Sequence, residues 1–162
     1  MDHLWSPWRY QYLTKPVQPG ECFLCAIQAS PQLDRENHVV LRGELNFIVL
    51  NAYPYSTGHL LIAPYEHVAS LEAASEAVAG EMMSMARMAE SRLRQVYQPQ
   101  GLNLGMNLGQ AGGAGVPGHI HMHVLPRWSG DTNFMTTVGD TRVLPESLDV
   151  TFEKLKKAFA AA

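Results

Sequence analysis

Apolar and polar positions along the 162-residue chain change period several times, and the changes divide it into elements. Between His38 and Pro64 three short runs are apolar or β-branched: His38–Arg42, Leu45–Asn51 and His59–Pro64. Gly43 and the Pro54–Gly58 stretch supply turn chemistry between them, so they are predicted as strands joined by short turns. The period then lengthens. Leu71, Ala74, Val78, Met82, Met85, Ala89, Leu93 and Val96 recur at steps of three and four, the apolar stripe of one helix. Ser70 or Ser75 is its expected N-cap, and Pro99 stands just past its end. Met82, Met83, Met85 and Met88 crowd this helix and read as adaptable core filling rather than ligand contacts.

Two further strands are predicted at Leu102–Asn107 and His119–Leu125, separated by a glycine-rich stretch from Leu108 to Gly118. A last helix is expected to begin near Pro145 or Glu146, with Leu148, Phe152, Leu155 and Phe159 on one side. The order β-β-β-α-β-β with short joins predicts an α+β fold. Its core would be a five-stranded antiparallel sheet, one long helix and a C-terminal helix, with the helices on one face. Residues 1–20 carry Trp5, Trp8, Tyr10 and Tyr12 between prolines, an aromatic arm expected to pack on the domain or on a partner. The length suits a single domain spanning residues 1–162.

Composition narrows the function classes. Apolar residues make up 46% and charged ones 17%, as in an ordinary globular protein. The net charge of −3, without a cluster of Lys and Arg, argues against a nucleic-acid groove. Asp2, His3 and Arg9 interrupt any apolar leader, and no run is long enough to span a membrane. Cys22 and Cys25 stand three apart, a spacing more often metal-binding or redox-active than a structural disulfide when export signals are lacking. A cytoplasmic location is the expectation.

The chemistry concentrates at His119-Ile120-His121-Met122-His123. On a strand, alternate side chains share a face, so the three imidazoles point one way while Ile120, Met122 and Val124 turn to the core. Imidazole titrates near neutrality and serves as nucleophile, proton donor or metal ligand. Glycines in the preceding segment let backbone N–H groups approach an anion, with Gly113, Gly115 and Val116 as candidate phosphate contacts. A nucleophilic histidine beside a phosphate cradle points to phosphoryl or nucleotidyl transfer. Three histidines binding zinc with an open position, and three uninvolved histidines on an exposed face, remain alternatives at this level.

Residues 119–125, His-Ile-His-Met-His-Val-Leu, resemble the signature of the histidine triad family at every position. Phe47–Asn51 and Thr57–Pro64 resemble that family's nucleotide-pocket strands. Pro126-Arg127-Trp128-Ser129-Gly130-Asp131-Thr132-Asn133-Phe134 and the Trp5–Arg9 opening resemble its bacterial branch that handles diadenosine polyphosphates. The resemblance implies that His121 attacks a nucleotide α-phosphorus and that His123 donates to phosphate oxygens, with His119 completing the triad. It also implies that Asn51 contacts ribose, that His59 lines the same pocket, and that Asn107 reaches the phosphate side. Cleavage of a substrate such as diadenosine tetraphosphate by hydrolysis or phosphorolysis would follow. An adenosine phosphoramidase, a metal-dependent hydrolase and a silent nucleotide-binding module are the competing functions. One departure stands out: family members often carry a Ser or Thr shortly before the triad, whereas Ala114–Gly118 holds no hydroxyl. A polyphosphate, already a good leaving group, tolerates that loss best.

The resemblance also implies a second site. Relatives close a Cys-x-x-Cys zinc site with histidines matching His67 and His119, so Cys22, Cys25, His67 and His119 form a candidate structural zinc set. His38 is the rival third ligand. Family members are usually homodimers, which implies a continuous ten-stranded sheet across two copies.

Overall fold

The structure, a computed structural model, describes residues 22–139 and 143–161. The aromatic arm expected at residues 1–20 lies outside them. The first described element is a short helix, α1 (Phe23–Gln28), which the sequence reading missed, followed by a 3₁₀ turn at Pro31–Leu33. Strands β1 (Val39–Arg42), β2 (Asn46–Leu50) and β3 (Leu60–Pro64) come next, each slightly shorter than predicted. Helix α2 (Glu76–Tyr97) leads to β4 (Gly101–Met106) and β5 (Met122–Arg127). A second unpredicted short helix, α3 (Phe134–Gly139), precedes α4 (Leu148–Ala160).

The five strands form the predicted antiparallel sheet, and their order across it is β1-β2-β3-β5-β4. Alternation of side chains splits its apolar residues between two faces. Ile48, Leu50, Leu60, Ile62, Met122 and Val124 meet Met82, Met85, Ala86, Ala89 and Leu93 of α2 and Phe152, Leu155 and Phe159 of α4. Val39, Phe47, Val49, Leu61 and Ala63 face the other way and pack on Leu24 of α1. The expectation of helices on one face alone is therefore corrected: α1 covers part of the opposite face. Its six residues are too few for helical periodicity to show.

Ser75, not Ser70, caps α2, its Oγ accepting a 3.2 Å bond from the Val78 N–H. Ser70 instead accepts from the Ala73 N–H in a separate turn, which leaves Leu71 43% exposed and outside the stripe. Gln98 ends the helix in the left-handed region at φ 46°. Met82 and Met85 are buried and Met88 packs against the core, whereas Met83 is exposed. Ser147 caps α4, two residues beyond the expected start, through a bond from the Val150 N–H.

One carboxylate ties α2 to the β1–β2 turn. Glu81 accepts from the N–H groups of Glu44 and Leu45 at 2.8 and 2.9 Å and from the buried Asn46 amide at 2.7 Å. Partial burial pushes the Glu81 pKa up, but these donors outweigh it and the pKa falls below its ordinary value. A Cβ at Gly43 would stand 2.2 Å from Met85 Cε and 2.8 Å from Glu81 Oε1, so a larger residue there would force the ends of these two side chains to shift.

Candidate active site

The histidine segment does not begin as a strand. β5 starts at Met122, whereas His119 lies in a bend, and the Ile120 N–H bonds the Val68 carbonyl at 2.8 Å. The predicted His119–Leu125 strand is corrected accordingly. In the antiparallel register Ile62 faces Met122, so the next rungs would need Pro64, which has no N–H to give. The alternation nevertheless holds: Ile120, Met122 and Val124 join the core under α2. His119, His121 and His123 are buried rather than lining an exposed surface, at 0, 6 and 9% relative exposure.

Each ring's hydrogen bonds fix where its proton sits, because a carbonyl only accepts. His121 donates through Nδ1 to the carbonyl of His119 at 3.0 Å, which leaves Nε2 with its lone pair. His119 donates through Nε2 to the Pro64 carbonyl at 2.9 Å, leaving Nδ1 as its basic nitrogen. His59 accepts at Nδ1 from the Tyr55 N–H, 3.1 Å, with the Asn51 amide nitrogen 3.2 Å from the same atom. Its Nε2–H therefore donates to His123 Nδ1 at 2.8 Å. His123 must in turn carry its proton on Nε2, a buried atom without a hydrogen-bond partner among the described residues. The ring centroids of His121 and His123 lie 5.0 Å apart. A lone pair and an N–H are thus set side by side, the pairing that nucleophilic attack on a phosphoryl group needs.

Burial favours the neutral form of His59, His119 and His123. It depresses the His59 pKa to about 3, helped by the neighbouring His123 and His121, and that of His123 to about 4, helped by His121. His119 is also pushed down by burial, against the opposing bond to Pro64.

Asn51 turns out to serve the loop as well as the pocket. Its Oδ1 accepts from the Tyr53 N–H at 2.9 Å in an Asx turn, while Nδ2 faces His59. Asn107 sits at the end of β4, its Nδ2 3.5 Å from the Gly113 carbonyl, and lines a pocket of about 240 Å³ beside His123. Gly113, at φ 84°, and Gly115 are exposed in the glycine-rich loop, and the Val116 carbonyl accepts from the His119 N–H. None of these three lines that pocket. Sequence reasoning missed Tyr55, whose ring stacks on His123 at 5.8 Å and 19° and contacts His59 at 4.7 Å. Its position four residues before His59 was the available signal.

The second predicted set also comes together. Cys22, Cys25, His67 and His119 place one donor atom each within 4.8 Å of one another, an arrangement that could hold a metal ion. Cys22 Sγ and Cys25 Sγ lie 3.2 and 3.5 Å from His119 Nδ1, and Cys25 Sγ lies 3.2 Å from His67 Nδ1. Burial and the neighbouring Cys22 raise the Cys25 thiol pKa. His38, the rival ligand, is ruled out by position. Its Nε2 donates to Asp149 at 3.1 Å, and its ring meets Phe152 edge-on.

Imidazoles ordered by backbone carbonyls and by one another, at and just before the start of a strand interior to a five-stranded antiparallel sheet, define a histidine-based site. The chain belongs to the HIT domain family, whose sequence profile matches residues 32–130. It is 39% identical to the AP-4-A phosphorylase of Mycobacterium tuberculosis, over 91% of this chain and 79% of that protein. A Zn-bound histidine triad family protein from Mycobacterium smegmatis has a similar structure, with a TM-score of 0.71 and 26% identity over 87% of this chain and 94% of the other. The fold is shared more distantly by the diadenosine triphosphate hydrolase of Plasmodium falciparum, at a TM-score of 0.62 and 13% identity over 78% and 76% of the chains.

Proposed function

We propose that this protein cleaves diadenosine polyphosphates, diadenosine tetraphosphate among them, through a nucleotidyl intermediate on His121. The observation that carries the reading is the Nδ1–H of His121 donating to the His119 carbonyl, which aims an Nε2 lone pair out of the ring. That lone pair attacks the α-phosphorus, the P–O bond to the polyphosphate breaks, and adenosine polyphosphate leaves. His123 donates from Nε2 to a non-bridging phosphate oxygen, with His59 holding its tautomer. Asn51 and His59 serve the nucleoside end, and Asn107, Gly113, Gly115 and Val116 the phosphate end. A second acceptor then takes the adenylyl group from His121. Inorganic phosphate gives ADP plus ATP from diadenosine tetraphosphate, whereas water gives AMP plus ATP. Similarity to an AP-4-A phosphorylase favours phosphate.

The experiment is a rapid quench with substrate labelled on the α-phosphorus. An acid-labile label on His121 is expected, and ADP should appear only when phosphate is added. Label on another residue, or turnover by His121→Ala, overturns the mechanism.

Cys22, Cys25, His67 and His119 are proposed to hold a structural zinc ion. Bonds of about 2.0–2.3 Å in a tetrahedron put ligand atoms roughly 3.3–3.8 Å apart, and the sulfur–nitrogen distances of 3.2, 3.2 and 3.5 Å come close to that. The Nε2–H bond from His119 to Pro64 is the outer support a ligating histidine needs. Zinc would tie α1 to the histidine segment without entering the chemistry. Thiolate ligands persist in a reducing compartment, in keeping with the proposed cytoplasmic location. Among the described residues no helix is long and apolar enough to cross a membrane. The proposed partners are a small nucleotide and a second copy of the chain, not nucleic acid, and the chain is read as one domain.

A further inference from the structure

The pocket beside His123 is lined by Tyr55 from the β2–β3 loop, by Asn103, Gly105 and Asn107 on β4 and its end, and by Leu125. His123, the ring proposed to donate to phosphate, lines the same pocket. We propose that Tyr55 and the β4 floor form the subsite for the second nucleoside of the substrate, the one carried away on the leaving polyphosphate. This rests on the reading that the substrate is a dinucleoside polyphosphate.

The lining decides which part of such a substrate belongs there. No residue lining the pocket carries a formal charge, since burial holds His123 neutral. The nearby Arg127 is ion-paired with Asp131, and it donates to Asn103 Oδ1 at 2.8 Å. A phosphate chain would find no free cation in this lining. A neutral heteroaromatic base would find the Asn103 amide, an aromatic ring and leucine side chains, the mixture typical of small-molecule pockets, with Asn107 at the phosphate end. The volume of about 240 Å³ falls below the ~300–1,000 Å³ of pockets for whole drug-sized ligands, so it suits one ring system rather than an entire dinucleotide.

Geometry supplies the platform. The Tyr55 backbone is held by its N–H bond to His59, and its ring lies 19° from parallel with that of His123. Half the residue, 51%, remains exposed, so a base has ring surface to stack upon. Opposite His123 in the sheet register stands Gly105, where an added Cβ would meet nothing within 4 Å. The floor beside the ring is therefore flat and open.

The test compares diadenosine tetraphosphate with adenosine 5′-tetraphosphate, which keeps the phosphate chain and lacks the second nucleoside. Stacking of one base on an aromatic side chain corresponds to roughly fivefold to a hundredfold in kcat/KM. In Tyr55→Ala the dinucleotide is expected to lose at least fivefold more than the mononucleotide, while Tyr55→Phe keeps the wild-type preference. Gly105→Val, which fills the floor instead of removing the wall, should erode the same preference. Equal losses on both substrates would mean that Tyr55 only supports His123, and the subsite would be wrong. A Tyr55→Phe variant behaving like alanine would assign the effect to the hydroxyl and also overturn it. If the wild type labels His121 but shows no preference to lose, the subsite alone falls. If the wild type cleaves neither substrate, the functional reading falls and takes the subsite with it.

Discussion

Nε2 of His59 donates to Nδ1 of His123 across 2.8 Å, and this one bond determines which nitrogen of His123 can face a phosphate. Without it, His123 would exchange between two tautomers, only one of which presents Nε2–H. His59→Ala is therefore expected to lower kcat by on the order of tenfold to a hundredfold while labelling of His121 persists. The readout specific to this role is the imidazole ¹⁵N spectrum of His123, which should change from one tautomer to a mixture. An unchanged spectrum with a reduced rate would assign His59 a different task.

The same two rings tie stability to pH. Both titrate well below the ordinary histidine value in the folded chain, at about 3 for His59 and about 4 for His123. Between those values and about 6.5 the unfolded chain binds protons that the native state refuses, so stability rises with pH across this window. It is fully present above about pH 6.5 and is lost as pH falls towards 4. Each buried ring contributes up to about 1.4 kcal/mol per pH unit there. Denaturant titrations at pH 7 and pH 5 should show this decline, and His59→Phe should flatten it. A wild-type midpoint independent of pH would contradict the buried neutral pair.

Much of this site was legible before any coordinates. The two-residue period of His119–Val124 separated core from chemistry, and the cysteine spacing marked the second cluster. Other features left no local trace. The tautomers depend on the carbonyls of His119 and Pro64 and on the Tyr55 N–H, and backbone groups have no sequence signature. Tyr55 was overlooked because it sits in a loop read only as turn chemistry. α1 and α3 are six residues each, too short for a stripe to emerge. The late start of β5 was readable in principle, since Pro64 cannot extend the ladder, but only once its register against β3 was known.

The contact between Gly43 and Glu81 predicts two stability losses of different origin. Gly43→Ala drives a methyl into Met85 Cε and the Glu81 carboxylate, and should cost about 1–3 kcal/mol. Glu81→Ala strips the buried Asn46 amide of a partner and frees two backbone N–H groups of the turn, a loss of roughly 2 kcal/mol or more. Because the residues touch, the double variant should lose less than the sum. Strict additivity in chemical denaturation would show that the turn does not depend on this carboxylate.

Metal removal offers a separate check on the cysteine cluster. The purified protein should carry one zinc per chain, and Cys22→Ser or Cys25→Ser should abolish it. The unfolding temperature should fall by several degrees in either variant or after chelation, because the ion binds only the folded arrangement. Zinc retained in both cysteine variants would place it elsewhere, on the triad itself for example, and the proposed division between structural and chemical histidines would fail.

The two edges of the sheet are treated differently, and this predicts how copies associate. On β1, the Lys156 ammonium bonds the carbonyls of Val39 and Val40 at 3.3 and 3.2 Å, and an irregular register lies between Val39 and Leu41. Charge and irregularity of this kind block strand addition. β4, at the other edge, reads Gly-Leu-Asn-Leu-Gly-Met with no charge, and Leu104 is 45% exposed. An uncharged open edge carrying an exposed leucine favours pairing with a second β4. Sedimentation should find a dimer, and Leu104→Arg, which sets like charges against each other across a two-fold axis, should shift it to monomer. A Leu104→Arg protein that stays dimeric would move the interface off this edge.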